Sequence, residues 1–135
     1  MGRVLGIDAG ERRIGLALSD ETRLLATPLR VLVRTDGLAP VLDTLADIVE
    51  REGVTQVVVG LPLNADGSVG RQAKRARDFA RVAEKVCGIP VTLWDERLST
   101  REAEAIVRAQ GKRRRDDVDA VAAAVILQDY LDHAP

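Results

Sequence analysis

The chain has 135 residues, 46% of them hydrophobic and 30% charged, with a net charge of -1. That is the balance of one soluble globular domain spanning residues 1–135, able to bury roughly two-thirds of its unfolded surface. No run of about 18 apolar residues is available to cross a membrane, and a signal-peptide layout is absent, so a cytoplasmic protein with no membrane partner is expected.

The first stretch, Arg3 to Gly10, is an apolar run that reads as a strand buried on both faces and ending on Asp8. A carboxylate at the tip of a buried strand must be neutralised, hydrogen-bonded or holding a cation. Glu11-Arg12-Arg13 then turns the chain into a second strand, Ile14 to Ser19. A third extended stretch, Leu24 to Arg34, contains Pro28, which favours a sheet edge. Short connections between these three predict an antiparallel meander.

Leu38, Val41, Leu42, Leu45, Ile48 and Val49 share one helical face, with Pro40 in the first turn and Gly53 as the stop. Val57-Val58-Val59 reads as a central strand parallel to the first. The longest loop, Gly60 to Gly70, leads to a second helix with Ala76, Phe79, Ala80, Ala83, Val86 and Cys87 expected inward. Arg71, Lys74, Arg75, Arg81 and Lys85 line its other side, and Gly88 closes it. Pro90 to Asp95 is a fifth strand, taken to be buried, and Glu96-Arg97-Leu98 follow at once. Ser99 and Glu102 have capping-box spacing for a third helix, Thr100 to Ala109. After a basic connection, Gln110 to Arg115, a final helix from about Asp116 to Leu131 is apolar on nearly every side and should be buried against the sheet.

This order predicts an α/β protein: a mixed five-stranded sheet, an antiparallel meander plus two parallel strands, flanked by helices. Ligands of such sheets bind beyond the carboxyl ends of the parallel strands, where Asp8 and Glu96 emerge. Asp119, in the last helix, lies where the chain can return to the same edge. The only histidine is His133 and the only cysteine is Cys87. Mechanisms needing an internal histidine are therefore excluded, as are an internal disulfide and a cysteine-based metal cage. If the protein is a hydrolase, a metal must activate the water.

Several segments resemble the YqgF family of Holliday junction resolvases, also described as pre-16S rRNA nucleases, in the ribonuclease-H-like superfamily. They are Gly6-Ile7-Asp8-Ala9-Gly10 with Arg13 to Ala17, Gly60-Leu61-Pro62-Leu63 with Asp66-Gly67, Asp95 to Thr100, and Asp119 to Ala123 leading to Ile126-Leu127. They span nearly the whole chain in family order. The resemblance implies a ribonuclease-H-like fold, nuclease activity and acidic metal ligands at Asp8, Glu96 and Asp119. Asp116 and Asp117 depart from the pattern by making the start of the last helix more acidic, which leaves the number of ligands open.

On chemistry alone, three such carboxylates suit one or two Mg²⁺ or Mn²⁺ ions, and paired metals about 4 Å apart can hydrolyse a phosphodiester. The alternatives are structural: Asp8 as a turn cap, Glu96 as a solvated strand-end acid and Asp119 favouring a helix N-terminus. Asp116, one turn before Asp119, is either a fourth ligand or, the better reading, an N-cap. Arg97, Lys112, Arg113, Arg114 and Arg115 are candidate phosphate contacts, as are Arg71, Lys74 and Arg75, against the readings of a local ion pair and solvated surfaces. Trp94 and Cys87 read as core residues.

Two rival functions stand beside a nuclease. Gly6 to Gly10 also resembles the first phosphate loop of actin-like ATPases and sugar kinases, but those clasp a nucleotide between two such domains. A non-catalytic nucleic-acid or ribosome-binding module is the third reading. The partners expected are precursor rRNA or branched DNA, with the ribosome as a further candidate. Between these substrates, and between monomer and homodimer, the sequence does not choose.

Overall fold

The computed structural model describes residues 2–111 and 118–134. Its elements are β1 (Arg3–Ala9), β2 (Arg13–Ser19), β3 (Ala26–Val33), α1 (Ala39–Arg51), β4 (Val54–Leu61), α2 (Arg71–Cys87), β5 (Val91–Asp95), α3 (Arg101–Arg108) and α4 (Val118–His133). A single 3₁₀ turn, Glu96–Leu98, joins β5 to the segment before α3. The strands form one sheet in the order β3-β2-β1-β4-β5. β1, β2 and β3 are antiparallel neighbours, while β4 and β5 run parallel to β1.

Alternation along the strands divides the core in two. Leu5 and Ile7 point to the face covered by α1 and α2, where they pack with Ile14, Leu16, Leu45, Ile48 and Phe79. Val4 faces the other way, with Ala17, Val58, Ala123 and Leu127. There α4 crosses β1, β2 and β3 and is itself covered by α3. A helix enclosed between a sheet and another helix has few solvent-facing positions, which accounts for its apolar circumference. Pro28 does lie on an edge strand, where the pairing of β2 with β3 shifts register beside it. Among the described residues no helix is long and apolar enough to cross a membrane.

Three local expectations are corrected. Val86 is 44% exposed, because the neighbouring Cys87 takes the inward position of that turn, and Ala73 is buried nearer the start of the helix. β5 is the edge strand beside α2 rather than a buried one, and Leu93 is 37% exposed. Thr100, not Ser99, caps α3: its hydroxyl accepts from the Ala103 amide at 3.1 Å, so the Ser99–Glu102 box does not form.

Candidate active site

Asp8 is the second-last residue of β1 and projects toward the α4 face, as Val4 does. Its neighbours across the sheet are both glycines. Gly15 is its antiparallel partner on β2, and continuing the Ile7–Val59 register puts Gly60 of β4 on the other side. A Cβ at Gly15 would lie 1.9 Å from the backbone oxygen of Asp119, so its absence lets the first turn of α4 settle beside Asp8. A Cβ at Gly60 would lie 2.9 Å from Oε2 of Glu96. Glu96 begins the turn after β5, two strands away from β1, and reaches toward Asp8 through the space Gly60 leaves.

Asp8 and Glu96 line one cleft of about 290 Å³ with Gly10, Pro62, Gln72 and Arg75. Neither carboxylate is held by a hydrogen bond among the described residues. Burial, and then repulsion from Asp119, pushes Asp8 up to about 6. Burial, followed by the charges of Asp8 and Asp95, pushes Glu96 up to about 7. Two desolvated acids of like charge without a donor are costly to ionise, and a cation between them removes that cost.

Asp119 is beside this pair but differently engaged, since Arg13 Nε donates to its Oδ2 at 2.6 Å. Among the described residues no three His, Cys, Asp or Glu side chains lie close enough together to hold a metal ion. The structure thus brings two of the three expected acids into one cleft and sets the third alongside, tied to an arginine. Asp116 and the basic run Lys112 to Arg115 lie outside the described residues.

Arg97 is forked onto Asp95, with Nη2 to Oδ2 at 2.9 Å and Nε to both oxygens at 3.2 Å, and Nη1 donates to the Ala65 carbonyl. The pair holds the Asp95 carboxyl below its usual range and anchors the loop before α2. Arg71, Lys74 and Arg75 gather at the start of α2, whose cap residue Gly70 offers no side chain and whose first turn has no acid. Cations at the positive end of a helix oppose its dipole, an arrangement that suits an incoming anion. Trp94 is structural: its Nε1 donates to buried Asp129 at 2.9 Å and its ring meets Tyr130 edge-on, centroids 5.2 Å apart. Cys87 is half-buried, and burial raises its thiol.

Sequence reasoning did not single out Arg13 as the partner of Asp119, Gln72 as a cleft residue, or Gly15 and Gly60 as what makes room for the acids. The signal for Arg13, Gly15 and Gly60 was membership of the segments that resemble the family, and Gln72 carried none.

The sheet order, with acids at the carboxyl edge of its parallel strands and a helix across the opposite face from α1 and α2, defines a ribonuclease-H-like fold. Over residues 2–133 the chain matches the family described as RuvX: Holliday junction resolvase, and it belongs to that family. A relative from Anaeromyxobacter dehalogenans (strain 2CP-C) is 50% identical over 133 residues, 96% of each chain. One from Syntrophus aciditrophicus is 44% identical over 96% of this chain and 88% of its own. Both carry the provisional name pre-16S rRNA nuclease. Among solved structures, T. thermophilus RuvC in complex with a Holliday junction substrate superposes with a TM-score of 0.64 at 19% identity. It covers 98% of this chain and 96% of that one, a likeness of fold.

Proposed function

We propose that this protein is a divalent-metal-dependent nuclease that trims the 5′ side of precursor 16S rRNA in the cytoplasm. The single observation that carries the reading is the pair Asp8 and Glu96, two half-buried carboxylates facing one cleft without a donor among the described residues. The donor set is all oxygen, which fits Mg²⁺ or Mn²⁺. When bound, such an ion supplies Lewis-acid activation of water and neutralises charge at the scissile phosphate.

The chain's own residues do the rest. Asp8 and Glu96 would hold the cation as carboxylates, each without its proton. Asp119, which lies beside the pair and accepts from Arg13 Nε, would complete the set. Gln72 and Arg75, on the opposite wall of the cleft, orient the phosphodiester. Arg71 and Lys74, with Lys112, Arg113, Arg114 and Arg115, contribute phosphate contacts farther along the strand. Arg97 acts mainly by fixing the loop through Asp95 and Ala65.

The precursor-rRNA reading draws on the names of whole-length relatives such as the one 50% identical, and the 5′ side is part of the proposal. The family description names a different substrate, the Holliday junction. One assay separates them: purified protein with Mn²⁺ on matched precursor rRNA and four-way junction substrates. Cleavage of the RNA, abolished by EDTA and restored by Mn²⁺, is the expected result. Cutting of the junction alone overturns the substrate, and undiminished cleavage by metal-free protein overturns the mechanism. RNA binding that survives both EDTA and Asp8→Asn, without any cleavage, would leave a non-catalytic binding module instead.

A further inference from the structure

A second cleft, of about 370 Å³, opens beside the acid pair between α2 and the ends of β1 and β3. Its rim carries Arg34, Arg71, Lys74 and Arg75, with Asp78 as the one acid. Its floor is apolar, made by Leu38, Val82 and the edge of Phe79. Cations above an apolar floor suit a nucleotide, with phosphate at the rim and sugar or base below, better than a bare anion.

The two clefts are continuous. Ala9, Gly10 and Arg75 line both, so the passage runs around the tip of β1. The first cleft straddles the edge of the sheet, taking in Asp8, which faces α4, as well as Ala9, Gln72 and Arg75 from the α2 side. The way from the acids to the second cleft therefore passes over the tip of β1. Glu11 approaches Arg75 only at 4.0 Å, a contact too long and exposed to hold the arginine against a phosphate.

Resting on the nuclease reading above, we propose that the substrate strand is single-stranded beyond the scissile bond. It turns over Gly10 and seats its next nucleotides in the Arg34–Lys74 cleft. Each cleft has about the room of one small ligand, hence of one nucleotide. A duplex is stiff over about 150 base pairs and cannot turn over a strand tip within a nucleotide or two. An unpaired strand makes that turn with its backbone torsions alone. The substrate class is therefore nucleic acid with an unpaired tail next to the cleavage point, rather than a continuously paired arm.

The test uses the full chain and one hairpin RNA carrying a single-stranded tail of zero, two, four or six nucleotides. Binding is read by fluorescence anisotropy in EDTA and cleavage in Mn²⁺. The tail is expected to tighten binding roughly tenfold, reaching a plateau by about four nucleotides. Pairing the tail with a complementary strand should remove the gain. Arg34→Ala and Lys74→Ala should remove it too. The Arg34 main-chain bond to the Arg12 carbonyl is retained in that variant, so the fold is spared. Equal affinity for tailed, blunt and fully paired RNAs overturns the proposal, as does a tail gain that both variants leave intact. If the tail gain depends on Arg34 but nothing is cut, the nuclease reading falls and the cleft assignment stands. Cleavage that ignores the tail has the opposite meaning.

Discussion

Most polar groups at the end of the sheet away from the acids are answered within the chain, Arg3 Nε and Asp129 Oδ1 being buried exceptions, whereas the two acids at the other end have no donor among the described residues. At the end away from the acids, Gln128 is 1% exposed, and its amide is engaged on both sides. Oε1 accepts from the Ala26 amide at 2.9 Å, while Nε2 donates to the Leu24 carbonyl and to Asp132, both at 3.0 Å. The Ser19 hydroxyl accepts from the Val4 amide at 2.8 Å and donates to the Asp20 carbonyl. Arg23, with φ of +60°, donates to the Gly2 carbonyl and to Thr55. At the other end Asp8 and Glu96 are half-buried, enough to raise both carboxyls, and have no donor among the described residues. Polar groups answered within the chain stabilise it, whereas unanswered ones lower its stability and are useful only to something from outside.

The sharpest way to break this contrast is Asp8→Asn. Cleavage should fall by about 10³-fold or more, since the amide cannot bind the cation as a carboxylate does. Removing one of the mutually repelling charges should leave the metal-free melting temperature at pH 8 equal or higher. Wild-type turnover in this variant would take Asp8 out of the mechanism, and a drop in stability would make it a structural residue like Gln128.

Next in size is Gly15→Ala. The new methyl would overlap the Asp119 backbone, which is not free to step aside as a side-chain tip is. A loss of about 3 kcal/mol in denaturant unfolding is expected, with reduced activity of the folded fraction. A near-neutral effect would mean that α4 can lift away from β2.

Gln128→Leu tests the answered end. Leaving the Ala26 amide and the Leu24 carbonyl without partners should cost about 1–3 kcal/mol. Specific activity of the folded protein should be unchanged, because the residue is remote from the acids. Lost activity with intact stability would reverse the roles assigned to the two ends.

The smallest effect is a pH dependence of opposite sign with and without metal. Asp8 and Glu96 ionise at about 6 and about 7 in the fold, above their unfolded values of 3.8 and 4.5. The folded protein therefore binds more protons between pH 4 and 7, and metal-free stability falls as pH rises through that window. Between pH 5 and 8 about one pH unit falls on Asp8 and about two on Glu96, about 4 kcal/mol before screening, so about 2 kcal/mol is expected for these half-buried groups. Saturating Mn²⁺ favours the ionised pair and should make its stabilisation larger at pH 8 than at pH 5. Melting curves at the two pH values, with and without Mn²⁺, read both signs. A flat metal-free profile would mean that water already relieves the acids.

Much of this organisation is carried by local pattern. The helical face of α1 from Leu38 to Val49, the β-branched run of β4, the edge-favouring Pro28 and the carboxylate at the tip of β1 are legible because burial repeats at the period of the element itself. The same pattern, with right-handed crossovers, implies the sheet order and puts Asp8 and Glu96 at one edge. Thr100 and Ser99 are equally good caps on paper, and only the backbone path after the 3₁₀ turn chose between them. Val86 has the right spacing to face inward, yet Cys87, with equally good spacing, is the residue that packs against the core.

What tertiary structure alone decided is the state of the acids. Glu96 reaches Asp8 because Gly60 leaves a gap, and Asp119 is drawn aside by Arg13, 106 residues earlier in the chain. Local sequence sets which face a side chain occupies. Whether a charge on that face finds a partner depends on strand register and close backbone approach, which exist only once distant segments have packed.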